Sequence, residues 1–223
     1  MSELNQLLLE LDYKSNFNEH DFYLSKSNSN AFNLINKWPS WEKKILNISG
    51  EKFSGKTHLA NIFKLKSKAF LINGDSINNS IFKILKLHEC IIIDDFEKCK
   101  KEQILYSIFN LIDQDNKYLL INSIKPINKI VFNLPDLASR SKNCLHAEIE
   151  NPDDELLFAI ILKNFSDRQI KIEKKIVNFI ISRIDRSYRK IDEFIYKIDE
   201  LSLKKKKPIN LKTIKEILKI EKI

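Results

Sequence analysis

The sequence predicts an α/β fold: a five-stranded parallel sheet with helices on both faces, followed by a small α-helical domain. Three observations carry this. Short apolar runs alternate with helical patterns between residues 45 and 149, as βαβ units do. The run Cys90-Ile91-Ile92-Ile93-Asp94 shows no polar alternation, which suits a strand buried on both faces. Beyond Asn151-Pro152 the apolar residues adopt helical spacings of three and four.

In chain order, residues 1–14 form an extended segment holding Leu4, Leu7, Leu8, Leu9 and Leu11. Residues 15–30, rich in Ser and Asn, read as loop. A helix over residues 31–37 is ended by Pro39. Strands follow at residues 45–48, 69–72, 90–94, 118–122 and 145–149. Helices over 56–66, 76–87 and 101–114 separate the first four of them. Pro152-Asp153-Asp154-Glu155 is a helix start with acids in the first turn, where the helix dipole favours them. Helices are expected over 153–165, 173–184, 188–203 and 211–220, with the lysine run 204–207 as a solvated loop before Pro208. The expected organisation is therefore an N-terminal segment (1–14), an α/β domain (15–151) and a helical domain (152–223).

Composition narrows the function classes. The 223 residues are 43% hydrophobic and 30% charged, which excludes gross disorder. No run reaches the ~18 apolar residues of a membrane span, and Met1-Ser2-Glu3-Leu4-Asn5-Gln6 lacks the basic and apolar regions of a secretory signal. Cys90, Cys99 and Cys144 are odd in number and scattered, which fits a reducing compartment and no metal-ligand spacing. Ile, Lys and Asn make up 90 residues and only 5 of the 38 basic residues are Arg, a bias that reads as AT-rich coding. The net charge of +8 is thus first a lysine-rich surface. Residues 152–223 carry 18 basic and 12 acidic residues, so the helical part holds most of the excess.

Glycine is scarce: Gly50, Gly55 and Gly74 only. Two of the three belong to Gly50-Glu51-Lys52-Phe53-Ser54-Gly55-Lys56-Thr57, which fits G-x-x-x-x-G-K-[ST] between a strand and a helix. Backbone N–H groups and the helix N-terminus there cradle phosphates. Lys56 neutralises the β and γ phosphates, and the Thr57 hydroxyl ligates Mg²⁺. The buried strand ending in Asp94-Asp95 supplies what a Walker B element needs, with Asp94 toward the metal and Asp95 where an attacking water is polarised. Asn122, at the end of the fourth strand, is placed to reach the γ-phosphate or that water. Among the few arginines, Arg140 precedes the fifth strand, where a finger acting on a neighbouring protein's nucleotide is placed. Arg189 lies on a helix that folds back toward the phosphates.

These motifs resemble the AAA+ proteins, and within them the DnaA group of replication initiators, over about residues 6–220. Asp21-Phe22-Tyr23-Leu24 with Ser27-Asn28 resembles the segment that wraps the adenine. Trp38-Pro39-Ser40-Trp41, Ser54-Gly55-Lys56-Thr57-His58-Leu59-Ala60 and Leu134-Pro135-Asp136-Leu137-Ala138-Ser139-Arg140 are similar to the short regulatory homologues of the Hda group, in their alphaproteobacterial form. The resemblance implies an ATP or ADP site with Mg²⁺, bound by Phe22, Gly50, Ser54, Gly55, Lys56, Thr57, His58 and Arg189, the last in the sensor 2 segment. It implies that Arg140 is the finger promoting hydrolysis of DnaA-bound ATP. Residues 212–218 look like the last helix of the Hda group. Gln6-Leu7-Leu8-Leu9-Glu10-Leu11 resembles the peptide that binds the DNA polymerase III β sliding clamp, with Gln6, Leu7, Leu9 and Leu11 as its anchors.

The implied function is negative regulation of replication initiation, in the cytoplasm at the replisome, with DnaA and the clamp as partners, self-association, DNA contact weak or through the clamp, and no membrane. No helix-turn-helix domain is expected after the helical part. The family's acidic residue two positions beyond Asn122 is replaced by Ile124, which implies at most weak intrinsic ATPase activity. A DnaC-type helicase loader shares this core and stands as the alternative; the short stretch before the adenine segment is expected to leave little room for its helicase-binding region. A DnaA-like module with purely structural nucleotide is the third reading.

Overall fold

Residues Ile45–Gly50 (β1), Phe70–Asn73 (β2), Cys90–Asp94 (β3), Tyr118–Ser123 (β4) and Leu145–Ile149 (β5) pair as one parallel sheet in the order β2-β3-β4-β1-β5. The computed structural model describes residues 21–168, 172–205 and 214. β1, β3 and β4 form the middle of the sheet, and every residue of β1 and β3 is buried. The unbroken apolar run Cys90–Ile93 of β3 follows from helices covering both faces. The edge strand β5 instead alternates, with Ala147 and Ile149 buried and Glu148 exposed.

Alternate residues feed two cores, because successive Cβ atoms point to opposite faces. On one face Ile91, Ile93, Leu119 and Ile121 meet Leu105, Ile108, Phe109 and Ile112 of α4 (Glu102–Gln114), Ile81 and Leu85 of α3 (Ile81–Leu85) and Leu137 of α5 (Pro135–Lys142). On the other, Leu46, Ile48, Ile92 and Leu120 meet Ala31 and Ile35 of α1 (Ser29–Lys37) and Leu59, Ala60 and Phe63 of α2 (Lys56–Ser67). Trp41 stacks on Phe63 there, ring centroids 5.2 Å apart. A third core joins α6 (Asp154–Asp167), α7 (Lys174–Ile181) and α8 (Tyr188–Lys205), with Leu157, Ile161, Phe165, Val177, Ile180, Phe194 and Ile198 at its centre. Asp153 caps α6 by accepting a hydrogen bond from the Leu156 N–H at 2.8 Å. Leu156 and Tyr188 belong to the sheet-side core, so the helical part packs directly on the α/β part.

Two expectations are corrected. The helix expected over 76–87 shrinks to Gly74–Ser76, a 3₁₀ turn, and the five residues of α3. Asn78 is the cause: its side chain donates to the Ser76 carbonyl and accepts from the N–H and hydroxyl of Ser80, an arrangement that competes with helical bonding. α5 was not foreseen. It starts with Pro135, which favours a helical first turn, but buries only Leu137 and Ser141, so it has almost no apolar periodicity to read. The other expected elements in the described residues occur with ends moved by up to three positions. Residues 1–14 and all of 211–220 but Ile214 lie outside the described residues. No described helix is long and apolar enough to cross a membrane.

Candidate functional site

The carboxyl ends of β1, β3 and β4 lie side by side in the sheet, and this adjacency assembles the site. β1 ends at Gly50, and the chain turns through residues 51–55 into α2. Gly55 sits at φ 93°, a left-handed conformation that disfavours any Cβ, and a Cβ there would lie 3.2 Å from the Phe22 ring. Phe53 adopts φ 70° despite its bulk and stays half exposed at the tip of the turn.

The buried Lys56 ammonium donates to the Gly50 carbonyl at 2.9 Å and the Glu51 carbonyl at 2.7 Å. Burial lowers its pKa below the ordinary lysine value, against the opposing pull of Glu97, Asp94, Asp95 and Glu51. The Thr57 hydroxyl donates to Asp94 Oδ2 at 2.8 Å. Asp94 Oδ1 accepts from Asn122 Nδ2 and from the Asp95 N–H, both at 3.1 Å. Ser54 Oγ and Asn122 Oδ1 are buried acceptors with no hydrogen-bond partner among the described residues. Gly50, Ser54, Gly55, Lys56, Thr57, Asp94 and Asn122 therefore converge on one point.

Asp95 stands one residue beyond, at φ 50°. Its carboxylate is held by Lys98 at 2.6 Å and accepts from Asn73 Nδ2 at 3.3 Å. The Lys98 hydrogen bond keeps the carboxyl below the usual aspartate range. Gly74 allows this turn, since a Cβ there would come within 2.3 Å of the Asp95 carbonyl oxygen.

A cavity of about 540 Å³ opens beside the phosphate loop. The α/β part contributes Phe22, Tyr23, residues 52–58 and Asp95, and α6 and α8 contribute Leu156, Ile160, Tyr188, Ile191, Asp192 and Ile195. The Phe22 ring stacks on Phe32 and meets His58 edge-on, with centroids 5.7 and 5.3 Å apart. One end of the cavity is thus apolar and aromatic, and the other is the loop with its buried ammonium. A second, more open depression is bounded by residues 100–104 and 133–134. Glu102 there accepts from the Asn133 side chain and the N–H groups of Asn133 and Leu134, so its carboxylate is engaged in closing a loop.

Arg140 and Arg189 are not part of the cavity wall. Arg140, in the last turn of α5, pairs with Asp113 and lies over the Tyr106 ring, 5.5 Å from its centroid. Arg189 points away along α8 to Glu193 at 2.8 Å, and its side chain is 67% exposed. The face of α8 that lines the cavity carries Tyr188, Ile191, Asp192 and Ile195 instead. Gln6, Leu7, Leu9 and Leu11 lie outside the described residues.

Sequence reasoning missed Asn73, Lys98, Asp192 and, above all, Glu51. The Glu51 carboxylate accepts from the Ser187 hydroxyl at 2.7 Å and the Tyr188 N–H at 2.9 Å, across 136 and 137 residues of chain. Its signal was electrostatic: an acid inside a loop whose G-x-x-x-x-G-K-[ST] spacing predicts phosphate binding.

No family model matches the chain. The chromosomal replication initiator DnaA of Borreliella afzelii is 26% identical over 239 residues, covering 94% of this chain and 49% of that protein. The chain spans about half the length of the curated DnaA relatives it matches first. Among solved structures, domain III of Thermotoga maritima DnaA matches with a TM-score of 0.73 at 22% identity, over 91% of this chain and 95% of that one. DnaA of Aquifex aeolicus, solved with bound AMPPCP, matches at 0.62 and 19% identity over 80% of this chain and 63% of that one. The fold is that of the DnaA-like AAA+ proteins.

Proposed function

We propose that this chain is a nucleotide-dependent regulator of replication initiation of the Hda type, which offers Arg140 to ATP held by DnaA. The single observation that supports it best is the division of the polar groups. The phosphate loop, Asp94 and Asn122 form one constellation in a DnaA-like fold, while Arg140 stands outside that cavity, on the outer end of α5.

The residues fit ATP or ADP with Mg²⁺. Among the described residues Ser54 Oγ and Asn122 Oδ1 are buried without partners and Lys56 donates to carbonyl oxygens only, so this end of the cavity suits phosphates. Residues 50–57 and Lys56 hold the phosphates, Thr57 and Asp94 hold the cation, and Phe22 with His58 flanks the base. A cation held there by Thr57 and Asp94 would supply positive charge against the phosphates. Arg189 reaches a phosphate only by leaving Glu193. The Lys98 pair holds the Asp95 carboxylate to one side, in keeping with weak hydrolysis by the chain itself. A bidentate guanidinium supplied in trans stabilises charge on the transferring phosphoryl group, worth on the order of 10³–10⁵ in rate.

The test is single-turnover hydrolysis by DnaA-ATP with clamp-loaded DNA and this protein. Arg140→Ala should bring the stimulation to background while nucleotide binding persists. Full stimulation by that variant overturns the finger. The triple variant Gln6→Ala, Leu9→Ala, Leu11→Ala should lose binding to the β sliding clamp. If the unaltered protein does not bind the clamp, the clamp-dependent part of the reading fails and the helicase-loader alternative gains.

A further inference from the structure

We infer that Glu51 is a positioning residue that makes phosphate capture by Lys56 and seating of α8 over the cavity one coupled event. The inference rests on the nucleotide reading of the cavity. Glu51 faces both ways. Its carbonyl accepts from Lys56 Nζ at 2.7 Å and from the Ser54 N–H at 3.2 Å, so its peptide belongs to the phosphate loop. Its carboxylate accepts the Ser187 hydroxyl and the Tyr188 N–H, and so grips the first turn of α8.

Electrostatics sets the direction. A carboxylate free to swing over a phosphate loop repels phosphates, but one bound to a helix N-terminus sits in the favourable field of that helix. α8 therefore draws the negative charge of Glu51 away from the place where phosphate charge arrives. The same bonds set the register of α8, whose next residues on that face, Ile191, Asp192 and Ile195, line the cavity. Tyr188 is held a second time, its hydroxyl 3.4 Å from Ser27 Oγ. A phosphate that engages Lys56 takes the ammonium from the Glu51 carbonyl, so both ends of Glu51 respond to occupancy. By linkage, whatever loosens α8 from Glu51 weakens nucleotide binding, and bound nucleotide tightens α8.

The experiment is a double-mutant cycle on the full chain, read as the dissociation rate of N-methylanthraniloyl-ADP with Mg²⁺. Ser187→Ala keeps the charge of Glu51 and removes two bonds, the one Ser187 Oγ donates to Glu51 and the one it accepts from the Lys190 N–H at 3.3 Å, which caps α8. It should speed dissociation about five- to tenfold, the low end of measured site-to-site coupling. Ser187→Thr, which keeps the hydroxyl, should restore the slow rate. In a Glu51→Ala background Ser187→Ala should speed dissociation far less, because the charge and the latch are both gone and only the cap on the Lys190 N–H is left to lose. Amide hydrogen exchange in the first turn of α8 should slow with ADP in the unaltered protein and not in Glu51→Ala. Equal effects of Ser187→Ala in both backgrounds, or none in either, overturn the coupling. If Glu51→Ala does not fold, Glu51→Gln, which keeps the shape and removes the charge, takes its place in the cycle. An unaltered protein that binds no nucleotide analogue overturns the nucleotide reading itself; one that binds it without the cycle overturns only Glu51.

Discussion

Cys144 shows how burial alone changes what one side chain can do. It is 4% exposed, and desolvation pushes its thiol up to about 12 from an ordinary value of 9.0. The folded value lies above the unfolded one, so the contribution to stability is complete below pH 9 and is lost as pH rises toward 12. Urea midpoints at pH 8, 9.5 and 11 should therefore fall more steeply for the native protein than for Cys144→Ala. Cys90 is also buried and its thiol is raised by burial, whereas Cys99 is half-buried. Iodoacetamide at neutral pH should accordingly label Cys99 first in the folded protein. Thr57 matters for the opposite reason: it lies at the exposed rim of the phosphate loop and its hydroxyl donates to Asp94. Its hydroxyl is available to a ligand at the expense of one internal hydrogen bond, worth about 1 kcal/mol.

At the scale of elements, the ends of helices decide more than their middles. α6 starts on an Asp153 cap with Asp154 and Glu155 in its first turn, where the helix dipole favours acids. Asp153→Ala should cost about 1 kcal/mol, measured by denaturant unfolding. The loss should fall on the helical part, since α6 supplies Leu157, Ile161 and Phe165 to that core. α2 is different: it starts without any side-chain cap, leaving its first N–H groups for a ligand. α8 borrows its acidic partner from the phosphate loop, so the stability of that helix start and the state of the loop are tied.

For the whole molecule, the sheet sets the frame, and residues 50–57, Asp94 and Asn122 all stand at its carboxyl edge. Phe63 is completely buried between that sheet and α2, against both Trp38 and Trp41. Phe63→Ala should lower stability by about 3–5 kcal/mol, a large share of the 5–15 kcal/mol typical of a domain (roughly). Tryptophan fluorescence during urea unfolding reads this directly, because both indoles report on that packing. Nucleotide affinity should drop in the same variant, since α2 carries Lys56 and Thr57 and loses its main anchor.

Local pattern made the phosphate loop, the buried strand into Asp94-Asp95, Asn122 at a strand end and the change at Asn151-Pro152 legible. Each of these is a short-range rule: residues within eight positions of one another, or one period of burial. The shortening of α3 escaped because Asn78 acts through side-chain hydrogen bonds that apolar spacing does not show, and α5 escaped because it buries almost nothing and so leaves no apolar period. The strand order, and with it the meeting of Asp94 with Thr57 and Asn122, came from long-range pairing. The paths of Arg189 to Glu193, of Asp95 to Lys98 and of Glu51 to α8 came from tertiary packing too. The physical reason is the same throughout: which chemical groups exist is written residue by residue, whereas which of them meet depends on contacts between segments far apart in the chain.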